Sequence, residues 1–307
     1  MVGTLKNGQK EDDLCVKYYL VAFLDVLGQK QYLREMKHLP TTDEEKQYFI
    51  KNIKKTYSVV TSLREGFKNY FENVKPRITK SNLIPAALRE KYLDLQQHHA
   101  NFFAFSDSII VSVPLDMSDE FCASMNGIFH ALMASASINL AALASRVPLR
   151  GGLNVGTAIE VFNEDLVGRE IYGQGLESAH YLESSVADYP RIVIGNDLMG
   201  FVARVRSQQS QTACGQLAHS IAELCWKMLV RDTDGHYMLD FLGEVVKETS
   251  GHATDKNDVA EAREFINNQY QSYLKDENYK QTSRYYRLVR YFNYRAELWG
   301  LDPIGSN

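Results

Sequence analysis

The stretch Asn101 to Leu115, NFFAFSDSIIVSVPL, decides the fold. Two runs of aromatic and β-branched residues, Phe102 to Phe105 and Ile109 to Val113, flank the small polar triplet Ser106, Asp107 and Ser108. Runs of that composition around a short polar break read as a β-hairpin with its turn near the aspartate. A carboxylate is thereby presented at a hairpin tip. Upstream, the apolar strand Tyr18 to Leu24 ends in Asp25-Val26-Leu27-Gly28-Gln29, which puts a second carboxylate where a strand gives way to a turn. Two acids at strand ends of one sheet can share Mg²⁺ or Mn²⁺ through hard oxygen ligands and support in-line displacement at phosphorus. The plainer reading of either aspartate is a turn or cap residue satisfying local amides.

Composition bounds the rest. The chain has 307 residues, 45% hydrophobic and 23% charged, enough for one large core with an appendage. A formal net charge of -4 argues against a generic nucleic-acid binder. The four cysteines, Cys15, Cys122, Cys214 and Cys225, form no CxxC pair, so reduced thiols in a cytoplasmic protein are expected and a zinc site is not. Residues 1–16 read as a polar tail without a signal-peptide core. Phe121 to Ser145 carries no charge, yet its Ser, Asn and His content suits a helix buried against a sheet rather than a membrane span.

Working outward from the two acids, residues 27–36 are expected to form a helix whose first amides follow Asp25, a natural seat for phosphate oxygens. Thr41 to Glu44 supplies a cap for an amphipathic helix over 47–71, with Phe49, Ile53, Tyr57 and Val60 on one face. Residues 73–99, with Pro76 and Pro85, form an excursion containing a short helix at 86–97. The 118–145 helix follows the hairpin, and then a glycine-rich strand from Pro148 to Ile159. Glycine inside a strand implies close approach of a ligand or of another backbone. A loop at 168–175, a helix at 176–186, a strand at 191–195 and a helix at 214–226 precede a hairpin turning at Asp232-Thr233-Asp234-Gly235. From Asp258 the chain is helical, broken near Glu277-Asn278, and its Arg and Tyr content after Arg284 reads either as a stacking surface for single strands or as aromatics packed inward with solvated arginines. The expected class is α+β, a ferredoxin-like palm of βαββαβ type with an extra hairpin and a helical C-terminal extension. The expected division is a tail at 1–16, a catalytic domain at 17–245 with an insertion at 73–99, and an extension at 246–307.

The ordered motifs resemble those of the class III nucleotidyl cyclases. Phe23-Leu24-Asp25-Val26-Leu27-Gly28 is similar to the family's first metal motif, and Ser106-Asp107 to the second. Arg150-Gly151-Gly152-Leu153-Asn154-Val155-Gly156 resembles its Arg-x-Gly-x-x-x-Gly strand, and Gly173 to Ser184 resembles its Gly-Asp-x-Val-Asn-x-Ala-x-Arg-x-Glu-Ser segment. The resemblance spans about residues 18–242. By it, Asp25 and Asp107 with the Val26 carbonyl would hold two divalent ions, Leu27, Gly28 and Gln29 would cradle phosphates, and Arg150 would pair with the outer phosphates. Arg150 bonding a neighbouring acid is the competing reading.

The departures matter equally. Gln174 stands where purine enzymes carry a base-reading Asp or Cys, and Phe103 where they carry a lysine. Glu177 and Tyr181 replace the transition-state asparagine and arginine, and an ionised acid cannot donate to a developing phosphate charge. These four residues are base-pocket or dimer-interface candidates, with core packing the competing reading of Phe103 and Tyr181. Kept carboxylates with lost purine readers resemble the bacterial pyrimidine cyclases of anti-phage (Pycsar) systems. That implies a cytoplasmic homodimer with interface sites, UTP or CTP as substrate, cyclic UMP or cyclic CMP as product, and a separate cyclic-nucleotide-binding effector, without direct nucleic-acid or membrane binding. A cyclase-like module that only binds nucleotide, and a polymerase or dinucleotide-synthase palm, are the alternatives.

Overall fold

The structure is a computed structural model that describes residues 15–28, 38–95, 99–163, 168–250 and 253–305. The expected helix at 27–36 falls largely outside those residues. Strand β1 (Lys17–Val26) is the spine of the sheet. It runs antiparallel to β3 (Ser108–Leu115) on one side and to β4 (Leu149–Asn163) on the other, and β3 pairs with β2 (Asn101–Phe105). The order β2-β3-β1-β4, with helices between β1 and β2 and between β3 and β4, is the ferredoxin-like α+β arrangement the sequence predicts. Beyond it, β6 (Ile192–Ile194) joins β4 in parallel, and the hairpin β7 (Leu229–Arg231) and β8 (Tyr237–Leu239) extends the sheet through β8.

Alternation along β1 sorts its side chains onto two faces. Leu20, Ala22, Leu24 and Val26 enter the large core, while Tyr19, Val21 and Phe23 enter a smaller cluster with Phe103, Ile110, Ala158, Ile171 and Ala179. Helix α1 (Asp43–Lys80) covers the large-core face. Its first turn is fixed by a capping box: Glu45 N–H donates to Thr42 Oγ1 at 3.2 Å while Glu45 Oε2 accepts from Thr42 N–H at 3.2 Å. Two corrections to the sequence reading follow. The buried stripe is Val60, Leu63, Phe67, Phe71, Val74 and Ile78, whereas Ile53 and Tyr57 are exposed. The helix also continues through Pro76 instead of ending near 71, since burying Val74 and Ile78 outweighs the roughly 3 kcal/mol of an interior proline.

The excursion then holds a 3₁₀ turn (Ala86–Leu88) and α2 (Arg89–Asp94). The uncharged helix α3 (Cys122–Ala144) is long and apolar enough to cross a membrane, but it is enclosed by α1, β3 and later helices. Its Ser124, Asn126, His130, Ser135 and Asn139 are buried too; His130 Nε2 lies 3.3 Å from the Tyr92 hydroxyl. A further correction concerns 168–175: the predicted loop is strand β5 (Gly168–Tyr172), paired with the outer half of β4 with Ile159 opposite Tyr172. Helix α4 (Gln174–Tyr181) and a π-helical turn (Leu182–Val186) cover the small-cluster face. The sequence reading has no helix between β6 and 214, yet α5 (Asn196–Ser207) is there, and its buried Leu198, Phe201, Val202 and Val205 have helical spacing.

After α6 (Ala213–Lys227) and the β7–β8 hairpin come α7 (Glu244–Ser250), α8 (Ala253–Lys275) and α9 (Tyr279–Ala296). Val259, Ile266, Leu288 and Phe292 share the large core with the sheet. Asp240 bolts α9 on: it accepts from the Tyr291 hydroxyl at 2.8 Å and from Arg295, and the Trp299 indole donates to Leu242 O at 2.9 Å.

Candidate active site

Register brings the two aspartates to one corner of the sheet. Asp25 lies directly opposite Ser108 on β3 and Arg150 on β4, and Asp107 is the residue next to Ser108, in the two-residue turn with Ser106. Ser106 takes a left-handed conformation, φ 49°, which closes that turn. Both carboxylates are buried, at 6% and 7% exposure. Ser108 Oγ donates to Asp25 Oδ1 at 3.3 Å. Asp107 Oδ2 is buried and has no hydrogen-bond partner among the described residues. A buried carboxylate oxygen left without a donor is destabilising unless something positive meets it.

That orphaned oxygen, beside a second acid, fits the hard-oxygen donor set of Mg²⁺ or Mn²⁺. No cluster of three metal-ligating side chains occurs among the described residues, so a backbone carbonyl such as that of Val26, waters or substrate oxygens would have to complete any coordination. Arg150 stands against the acids. Its Nη2 is 3.6 Å from Asp25 Oδ2, and its Nε is 2.6 Å from Glu183 Oε1, a carboxylate almost fully buried in the π-helical turn. In this conformation the arginine therefore holds neighbouring acids, the competing reading of that residue.

Gly152 and Gly156 show why the strand beside the site is poor in bulk. A Cβ on Gly152 would come within 2.3 Å of Ala179 O, and one on Gly156 within 2.7 Å of Gly175 Cα. Close approach of α4 to β4 thus explains both glycines, and it is this approach that carries Glu183 to Arg150.

The phosphate-cradle candidates divide. Leu27 and Gly28 line a cleft of ≈ 660 Å³ together with Arg146, Pro148 and Arg150 on one side and Gln269, Gln281 and Arg284 on the other. The Leu27 amide already donates to Pro148 O at 2.9 Å, while Gly28 faces open space with φ +88°. Gln29 lies outside the described residues.

The base-pocket candidates divide as well. Gln174 and Glu177 line one cavity of ≈ 610 Å³ with Phe23, Ile110, Tyr172, Leu176 and His180. It opens on the Asp25 face, since Phe23 precedes Asp25 by one alternation. Phe103 is packed in the small apolar cluster, and Tyr181, 60% exposed, lines a different cavity with Asp188, Asp234 and His236.

Three further residues at the site have no role in the sequence reading. Arg64 on α1 donates to Ser108 O at 2.8 Å and so steadies the hairpin tip; burial draws its pKa below the ordinary arginine value. Glu183 is the second anchor of Arg150. The His180 ring packs 4.8 Å from that of Phe23 at the mouth of the cavity. Glu183 and His180 lie within the Gly173–Ser184 segment already singled out by its motif, whereas nothing local points to Arg64; the tertiary approach of α1 and α4 brings the three together.

No family model matches the sequence, and no curated protein sequence matches it. Among solved structures, the chain is similar to the adenylyl cyclase CyaB from P. aeruginosa, with 16% identity over 63% of this chain and 84% of that one and a TM-score of 0.38. It is also similar to a bacterial light-regulated adenylyl cyclase, with 13% identity over 77% and 96% and a TM-score of 0.37. A guanylyl cyclase shares 11% identity over 61% and 79%, with a TM-score of 0.34. Overlaps this loose carry no weight for the chemistry, and the fold described above rests on the chain's own strand order.

Proposed function

We propose that the chain is a metal-dependent nucleotidyl cyclase that converts UTP or CTP into the 3′,5′-cyclic monophosphate and pyrophosphate. The observation that carries this reading is the corner where Asp25 faces Ser108 and the neighbouring Asp107 keeps a buried oxygen without a hydrogen-bond donor among the described residues. In the reaction the ribose 3′ oxygen forms a bond to the α-phosphorus, the bond to the bridging oxygen breaks, and pyrophosphate leaves. Divalent ions would acidify the attacking hydroxyl and offset charge on the triphosphate. Asp25 and Asp107 would hold the cations, Ser108 and Arg64 would orient the two acids, and Gly28 and Arg150 would face the phosphates.

The cavity with Gln174 suits a base edge, because an amide presents one donor group and one acceptor. Its wall is apolar and open on a thinly covered sheet face, which favours a homodimer that completes the pocket from a second chain. The wider role is a cytoplasmic second messenger read by a separate cyclic-nucleotide-binding effector in anti-phage defence; it rests on the motif resemblance alone.

One observation favours a second reading. Arg150 is engaged by Asp25 and Glu183, which suits a module that binds nucleotide without turning it over. Incubating the purified chain with each ribonucleoside triphosphate and Mn²⁺, and identifying products by mass, separates the two. A cyclic pyrimidine monophosphate that disappears in Asp107→Asn is the expected result. Binding without turnover supports the module, a cyclic purine product overturns the pyrimidine assignment, and linear or dinucleotide products point to a polymerase-type palm.

A further inference from the structure

The cleft that holds Leu27, Gly28 and Arg150 has a second wall, and that wall comes from the C-terminal helices. Phe265, Gln269 and Tyr273 of α8 and Gln281, Arg284 and Tyr285 of α9 face the end of β1 across ≈ 660 Å³. The inward stripe of α9, with Tyr285, Leu288, Val289, Phe292 and Ala296 buried, sets which of its arginines can reach the cleft. Arg287 is held by Asp188 and packs 4.8 Å from the Tyr189 ring centre. Arg295 is held by Asp240, and Arg290 is exposed on the outer side. Arg284 is half-buried in the cleft and has no hydrogen-bond or ion-pair partner among the described residues.

The charges around it are otherwise spoken for. Asp188, an acid of the cleft, meets both Arg191 and Arg287. Arg146 lies 3.4 Å from Glu264, and Arg150 bridges Asp25 and Glu183. Among the described residues, what remains facing the cavity is a guanidinium without a counter-charge, the Gln269 and Gln281 amides, the Gly28 backbone, and the neutral Ser145, Tyr273 and Tyr285. A planar fork of that kind takes a bidentate phosphate oxygen pair better than any neutral ligand.

We infer that Arg284 is a polyphosphate-binding residue, so that the C-terminal helices form one wall of the nucleotide site and hold the departing pyrophosphate. The inference rests on the cyclase reading for the identity of the substrate, but the anion subsite itself does not. Arg284 meets the outer phosphates from the side opposite Arg150, and the helical extension becomes part of the site instead of a surface for nucleic acid.

The test is titration of the full chain with inorganic pyrophosphate and Mg²⁺ in a calorimeter. Arg284→Gln is expected to weaken binding by ten-fold or more, Arg284→Lys to recover part of the loss, and Arg290→Gln on the outer side to stay within two-fold of the unmodified chain. Equal affinity for Arg284→Gln and the unmodified chain, or equal losses at Arg284 and Arg290, overturns the inference. Assaying nucleotide turnover on the same samples separates it from the reading it builds on. Pyrophosphate affinity that depends on Arg284 without turnover of any nucleotide keeps the subsite and discards the cyclase. Normal turnover with unaltered pyrophosphate affinity in Arg284→Gln keeps the cyclase and discards the subsite.

Discussion

Asp107 combines two properties that pull against each other: its carboxylate is buried, and one oxygen has no donor among the described residues. Such a group destabilises the fold it sits in, and on the proposed reading a cation meets it in the working state. Asp107→Asn should therefore lower turnover by roughly 10²-fold or more, the several kcal/mol that a bound cation's charge supplies. The same change should leave the unfolding free energy unchanged or raise it by up to ~1 kcal/mol. Paired activity assays and urea unfolding check this, and a large stability loss with full activity would remove Asp107 from the site.

Asp234 shows the opposite balance. Burial pushes its carboxyl up, but the Arg191 side chain, the His236 amide and the Arg191 charge outweigh that and hold it below the ordinary aspartate value. A carboxyl with a lowered folded-state pKa adds stability above the unfolded value, near ~3.9, and loses it as pH falls through the folded value. The melting-temperature gap between the unmodified chain and Asp234→Asn should accordingly be open at pH 7 and close below pH ~4. A gap that stays constant down to that range would refute the assignment.

At the scale of elements, the joint between α4 and β4 sets the geometry of Arg150 and Glu183. Gly152→Ala places a methyl group 2.3 Å from Ala179 O, a backbone atom that cannot swing away. Overpacking of this kind is destabilising by about 3 kcal/mol, measurable as a shifted urea midpoint, and should loosen the site with it. The β7–β8 hairpin is secured differently. Arg191, fully buried, gathers Asp188, Asp232 and Asp234 and lies 4.7 Å over the Tyr189 ring. The Tyr189 hydroxyl, buried and bonded to Asp232, is pushed well above the ordinary tyrosine pKa and stays protonated. Arg191→Met would strand those acids, with about 3 kcal/mol of destabilisation expected by chemical denaturation. An unchanged midpoint would show that Arg287 alone suffices to neutralise them.

At the scale of the whole molecule, the two faces of the sheet are unequally covered. One carries α1, α3 and the C-terminal helices, and the other little more than α4 over a small apolar cluster with a cavity beside Tyr172 and Leu176. If a second chain completes that face, specific activity should fall on dilution in step with the dimer fraction seen by analytical ultracentrifugation. Activity independent of concentration while the dimer dissociates would make each chain self-sufficient.

The hairpin at 101–115, the strand ending at Asp25, the turn at Asp232 to Gly235 and the break at Glu277-Asn278 were all legible in the chain. Each is set by local chemistry: alternation, turn residues, a capping side chain. The strand order of the palm followed from the succession of those elements. What the chain alone could not specify was decided by contacts between distant segments. The buried stripe of α1 begins only at Val60, although the apolar period runs on before it, and β5 is a strand because β4 offers it an edge. Arg150 faces Glu183 because two glycines let α4 close on β4, and Arg284 looks into the cleft beside Gly28 because the core fixes the rotation of α9. Local sequence carries propensity and period, whereas the partner of a long charged side chain depends on which remote backbone packing brings within its reach.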